Sequence, residues 1–193
     1  MSSTQESPIA IGNRITFQKK KVGVSIIITQ EVSQLNLALM ILWWLGISAC
    51  GAVFAYYWQS TSAQSDAIFF GVATAFVVYF MIRIGKTILW RLIGKEMLLI
   101  NEEGLSLKNA YGNYGKAKSF IPENVKKLYL ITYNVGKFME FMDRSSYVIG
   151  GDTIGFTYQG KEHRFAKQLE EKDAKVLFRL IDKSLREVVK ARS

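Results

Sequence analysis

A two-helix membrane hairpin running into an antiparallel β domain closed by a C-terminal helix is the fold class this sequence predicts. Three observations point to it. Leu37 to Tyr57 is a run of 21 residues without a charge, and Ala67 to Ile82 is a second of 16. From Lys95 onward the hydrophobic pattern changes to period two, the signature of half-buried strands. From Leu169 to Lys190 it changes again, to helical spacing.

The helices come first. At about 1.5 Å of rise per residue the first run covers roughly 30 Å, the hydrocarbon thickness of a bilayer. The second is shorter, but Arg83 and Lys86 can snorkel while the helix continues to Leu89. Expected spans are 37–57 and 67–89, in a hairpin covering 35–91. A composition 49% hydrophobic is unremarkable only because these runs are averaged with a polar remainder. Small residues allow close backbone approach between helices in lipid, so Gly46, Ala49 and Cys50 on the first helix, and Ala67, Gly71 and Ala75 on the second, are the expected packing surface.

The charge distribution predicts orientation. Formal net charge is +9. Arg14, Lys19, Lys20 and Lys21 precede the first span and Arg83, Lys86, Arg91 and Lys95 follow or close the second, while Trp58 to Asp66 carries no Lys or Arg. Basic flanks stay cytoplasmic, so both termini are expected inside, with Tyr56, Tyr57 and Trp58 at the outer interface and Trp90 at the inner one. The lone Cys50 excludes an internal disulfide. Ile47-Ser48-Ala49-Cys50 mimics a lipoprotein cleavage box, but the segment before it is too long for a signal peptide and the residues after it stay apolar.

Residues 1–12 are small and polar and read as a disordered tail. Residues 13–34 form a basic arm, in which Ile15 to Gln18 and Val22 to Thr29 are rich in β-branched residues and predict short strands around the lysine turn. Exposed strands of this kind need a partner, which the sheet of the following domain offers. In that domain, residues 95–190, Met97 to Asn101 and Leu105 to Lys108 form a hairpin about Glu102-Glu103-Gly104. Ala110 to Lys118 reads as a loop, Val125 to Tyr133 and Lys137 to Met142 as strands, and Thr153 to Ala166 as a second hairpin turning at Gln159-Gly160.

About seven short antiparallel strands and a closing helix follow the order of a pleckstrin-homology-like domain. The chain also resembles small bacterial membrane proteins in which a two-span hairpin runs directly into such a domain. The residues that carry this are Trp90 to Glu96 and the hairpin after it, Ile121 to Val125, and the Gly155 to Phe165 hairpin with its helix, over about residues 35–190. The resemblance implies the bacterial inner membrane and is silent on activity. The layout is also similar to that of the photosystem I assembly factor of chloroplasts and cyanobacteria, as an analogy only, because that family's glycine-rich stretch after the second span is absent here.

The sequence presents no catalytic constellation. Its only histidine, His163, stands on an alternating strand and reads as a solvated residue; a metal site would lack ligands. Gly112 to Lys116 lacks the spacing of a phosphate loop. Neither run carries an ionisable residue at mid-membrane, against an ion path within one subunit. No enzyme activity, cofactor or nucleic-acid partner is expected. The expectation is an accessory subunit or assembly and scaffold factor whose β domain docks partner proteins. The alternative is a sensor of anionic lipid. Lys19, Lys20, Lys21, Lys116, Lys118, Lys126 and Lys127 are the candidate membrane-surface or partner contacts. Glu102 and Glu103 occupy the turn where a phosphoinositide site would need cations, which favours protein.

Overall fold

The computed structural model describes residues 7–19, 23–132, 145 and 147–192. It divides into two compact units, one of residues 1–31, 93–145 and 149–193, the other of residues 32–92 and 146–148.

The second unit is a helical hairpin. Ser33 caps helix α1 (Gln34–Ser60), its Oγ accepting the Asn36 N–H at 3.2 Å. Helix α2 (Gln64–Ile93) begins after a three-residue connection. Both are long and apolar enough to cross a membrane, and only 6% of the most apolar stretch of each is buried. Both outrun the expected spans, because polar ends such as Gln34 and Arg91 extend each helix without interrupting it.

Among the described residues the first unit contains nine strands in two sheets. Strands β1 (Ile9–Ile11), β2 (Ile15–Lys19), β3 (Val24–Thr29), β4 (Gly94–Asn101), β5 (Gly104–Tyr111) and β6 (Ala117–Phe120) form an antiparallel six-stranded sheet in chain order. After a 3-10 turn at Pro122–Asn124, β7 (Val125–Leu130), β8 (Asp152–Tyr158) and β9 (Lys161–Lys167) form a three-stranded sheet. Helix α3 (Glu171–Arg192) closes the chain. Alternation makes the sheets amphipathic: β3 buries Val24, Ile26 and Ile28, and β4 buries Leu98 and Ile100. These join Phe120, Ile154, Phe156 and Phe165 and the helical stripe Leu177, Ile181, Leu185 and Val188 in one core.

Several sequence expectations change. Residues 9–11 are a strand rather than part of a disordered tail, because Ile9 and Ile11 pair across β2 with Phe17 and Ile15. The expected loop at Ala110 to Lys118 shrinks to a tight turn, with β5 running on to Tyr111 and β6 starting at Ala117. The strand expected at Lys137 to Met142 lies outside the described residues. Trp90 and Arg91 are buried, at 2% and 5% exposure, whereas an aromatic belt would have Trp90 exposed. Arg91 donates to the Val148 carbonyl at 3.1 Å. Trp43, half exposed and edge-on to Tyr147, is an exposed tryptophan of α1 toward its N-terminal end.

Candidate functional site

Helix α1 is apolar on every side, so periodicity alone cannot mark its packing face. The structure marks it. Gly46, Ala49 and Cys50 are exposed, and a Cβ on Gly46 would meet nothing within 4 Å. The seam instead runs through Met40, Trp44 and Gly51. A Cβ on Gly51 would stand 2.7 Å from Val77 Cγ1, and one on Gly71 3.1 Å from Trp58 Nε1. Trp44 Nε1–H donates to the Met81 carbonyl across the hairpin at 3.0 Å. Of the small residues expected on α2, Gly71 and Ala67 are half buried and Ala75 is exposed. The outer surface of both helices is a girdle of exposed apolar side chains, among them Leu42, Val53, Ile68, Phe76 and Ile82.

The candidate lysines do not form one patch. Lys19 pairs with Val24, and Val24 with Ile100, which puts Lys19 at the same end of the sheet as Glu102 and Glu103. The end where α2 passes into β4 is the other one. Lys20 and Lys21 lie outside the described residues. Lys116 follows the β5–β6 turn, and Lys118 is exposed on β6. Lys126 and Lys127 are exposed on β7, where a bulge follows Lys126 and Lys127 takes a φ of 50°. Lys127 lines an open groove of about 540 Å³ between the Pro122–Leu128 segment and α3, with Leu128, Leu185 and Arg186.

His163 is not the solvated strand residue expected. It is half buried, stacked on Phe156 with centroids 5.4 Å apart and edge-on to Phe120 at 4.7 Å. Desolvation first, then the nearby Lys118 and Lys161 ammonium groups, push its pKa below the ordinary value, so the ring is neutral at pH 7.

The most developed polar constellation is one that sequence reading missed. Glu96 on β4 is 1% exposed. Its Oε2 accepts the Ala166 N–H at 2.6 Å, and its Oε1 accepts the Lys167 N–H at 3.3 Å and pairs with Lys167 Nζ at 3.1 Å. Lys167 Nζ also reaches Asp152 at 3.2 Å. The Arg14 guanidinium donates to the carbonyls of Thr29, Lys167 and Gln168. The backbone bends sharply here, with Ala166 and Gln168 both left-handed at φ 62° and 51°. Thus a carboxylate on β4 and a guanidinium just before β2 tie the large sheet, with Thr29 of β3, to the end of β9 and the residue after it. Both Glu96 oxygens are saturated by donors, which suits a joint rather than a proton-transfer group. The only sequence signal was a charge on the buried phase of an alternating strand.

Two apolar helices and a two-sheet antiparallel domain closed by a helix define the class of architecture. Comparison with protein-family models, curated proteins and solved structures returns no match to this chain.

Proposed function

We propose that this chain is a non-catalytic integral membrane protein whose helices span the bilayer as a hairpin with both termini cytoplasmic, and whose β domain, of pleckstrin-homology-like type, docks partner proteins. The observation that carries the reading is the apolar girdle. Exposed patches on soluble monomers rarely exceed a few hundred Å². Here exposed apolar side chains run the length of helices of 27 and 30 residues, and lipid is the solvent that suits them. The basic residues at the sequence ends of the hairpin, and their absence from its connection, support the orientation.

For docking, the β domain offers the open groove beside α3. Leu128, Leu185 and Pro122 supply an apolar floor, and Lys127, Arg186 and Lys190 a basic rim alongside Asp182. Strand β7 is an edge strand among the described residues, and an edge can accept an extended peptide by strand addition. The scattered lysines support docking over selective lipid recognition, since headgroup selectivity needs several cations converging on one phosphate.

Two measurements test this reading. Reporter fusions at residue 193 and within 61–63 should report opposite sides of the membrane; a common side sinks the hairpin. A photo-crosslinking residue at Leu185 of the full chain should capture a discrete protein in cells, and Leu128→Glu should abolish that adduct. Adducts to lipid alone would favour the lipid-sensing alternative.

A further inference from the structure

We propose that the Tyr111–Lys116 turn is a membrane-interface anchor, with the Tyr114 ring seated among lipid headgroups and the Lys116 ammonium paired with lipid phosphate. The inference rests on the spanning role of α2.

The turn is placed by the chain end of that helix. Gly94, the residue after α2, pairs with Tyr111, and the Gly112 N–H donates to the carbonyl of Ile93, the last residue of α2, at 2.8 Å. Two residues further on, the Tyr114 Cα can be no more than about 8 Å from that of Gly112. Helix α2 has 30 residues, about 45 Å of length, against about 40–45 Å for a bilayer with both headgroup layers. Arg83 and Lys86 are exposed along its last three turns, as basic residues near an interface are, and the final turn is apolar on its surface again, with Leu92 and Ile93 exposed by 55% and 43%. A helix that starts at one headgroup layer therefore ends in the other, and the turn lies at that level.

The turn is also built to hold its tyrosine out. Tyr114 is 85% exposed, more than any large apolar side chain on the helices. It is not loose: the Tyr111 and Tyr114 backbones exchange hydrogen bonds at 2.7 and 3.1 Å, and Lys108 Nζ donates to the Asn113 carbonyl at 3.3 Å. Gly112 takes a φ of +61°, and a Cβ on Gly115 would lie 2.3 Å from the Asn109 carbonyl oxygen, so the glycines set the path. An ordered, exposed tyrosine presents an apolar ring with a polar tip, the chemistry favoured at the membrane–water boundary. Lys116, exposed beside it, adds a cation at phosphate level. This contact holds the turn at the bilayer surface without choosing among anionic lipids.

Nitroxide depth measurement on the full chain decides the matter. Single cysteines are introduced in a Cys50→Ala background and labelled in vesicles of phosphatidylethanolamine and phosphatidylglycerol. Tyr114→Cys reports the turn. Glu102→Cys reports the opposite end of the β4–β5 hairpin, where Asn101 pairs with Gly104, about 26 Å away along the strand. Phe76→Cys reports α2 itself. The expected result is a nickel-chelate collision rate several-fold lower at 114 than at 102, at headgroup depth, with 76 in hydrocarbon. A label at 114 as aqueous as that at 102, with 76 still in hydrocarbon, overturns the anchor and leaves the spanning helices standing. Shielding of 114 from both oxygen and the chelate shows a protein partner there and also overturns it. An aqueous label at 76 removes the spanning role and the anchor together. Should Tyr114→Cys fail to fold, Asn113→Cys repeats the reading one residue away.

Discussion

At Glu96 and Lys167, two opposite charges leave water together, and what matters is how completely they are repaid. Glu96 has two backbone N–H donors besides its ammonium partner, and Lys167 has a second carboxylate in Asp152. Removing Glu96 leaves Lys167 with Asp152 alone and the buried Ala166 N–H without its acceptor. Glu96→Ala should therefore cost about 1–3 kcal/mol, the usual penalty for a buried donor left unsatisfied. Glu96→Gln, which keeps an acceptor for the Ala166 N–H, should cost clearly less; urea unfolding in detergent would rank them. The same pair predicts a pH dependence. Burial alone would lower the Lys167 pKa, but the Glu96 and Asp152 carboxylates outweigh it and hold it above its ordinary value of 10.5. An ammonium with a raised folded-state pKa stabilises fully below the unfolded value, and that contribution is lost as pH rises through the raised one. The unfolding midpoint should fall as pH rises above that ordinary value of 10.5. Lys167→Met should flatten that alkaline limb relative to the parent, and an unchanged slope would show that the pair contributes nothing.

Among the elements, the helical hairpin shows how a one-residue shift changes a packing face. Gly51 and Val77 meet where Gly46, Ala49 and Cys50 face outward. Gly51→Leu drives a side chain into Val77 and should destabilise the hairpin by about 1–3 kcal/mol, as overpacking does. Gly46→Leu enters open space and should change stability by less than about 0.5 kcal/mol. Thermal melts in one detergent compare them; equal effects would mean the seam is misplaced. The strands were more readable, because alternation identifies both the element and its buried phase. In β3, Val24, Ile26 and Ile28 are buried and Ser25, Ile27 and Thr29 half buried. The identity of the neighbour is another matter, since a strand with five β-branched residues among its six pairs equally well with several partners.

Across the whole molecule, β3 and β4 are adjacent antiparallel strands, with Thr29 opposite Lys95, although both helices lie between them in the sequence. The sheet thus closes a long excursion of the chain. The arm before the helices also supplies Ile15, Phe17, Val24, Ile26 and Ile28 to the core. Fully burying side chains of this kind contributes about 1.5–3 kcal/mol each, against a total domain stability of about 5–15 kcal/mol. The β domain made without residues 1–31 should therefore show no cooperative melting transition, and the same domain with the arm linked back should recover one. A sharp melt in the truncated form would show that the arm is dispensable.

The sequence by itself determined what local physics controls: which runs are long and apolar enough to be bilayer-length helices, which segments alternate as strands, and where the closing helix lies. Each follows from side-chain period and charge along a few turns of chain. Only the tertiary structure decided which face of α1 packs, that Trp90 and Arg91 are buried, and that Ile9 to Ile11 finds a strand partner. It alone brought Glu96 to Lys167, 71 residues away, and Gly112 to Ile93. The reason is physical: an apolar helix carries no periodic mark of its partner, and the cost of a buried charge is repaid by groups distant in sequence, so neither can be read along the chain.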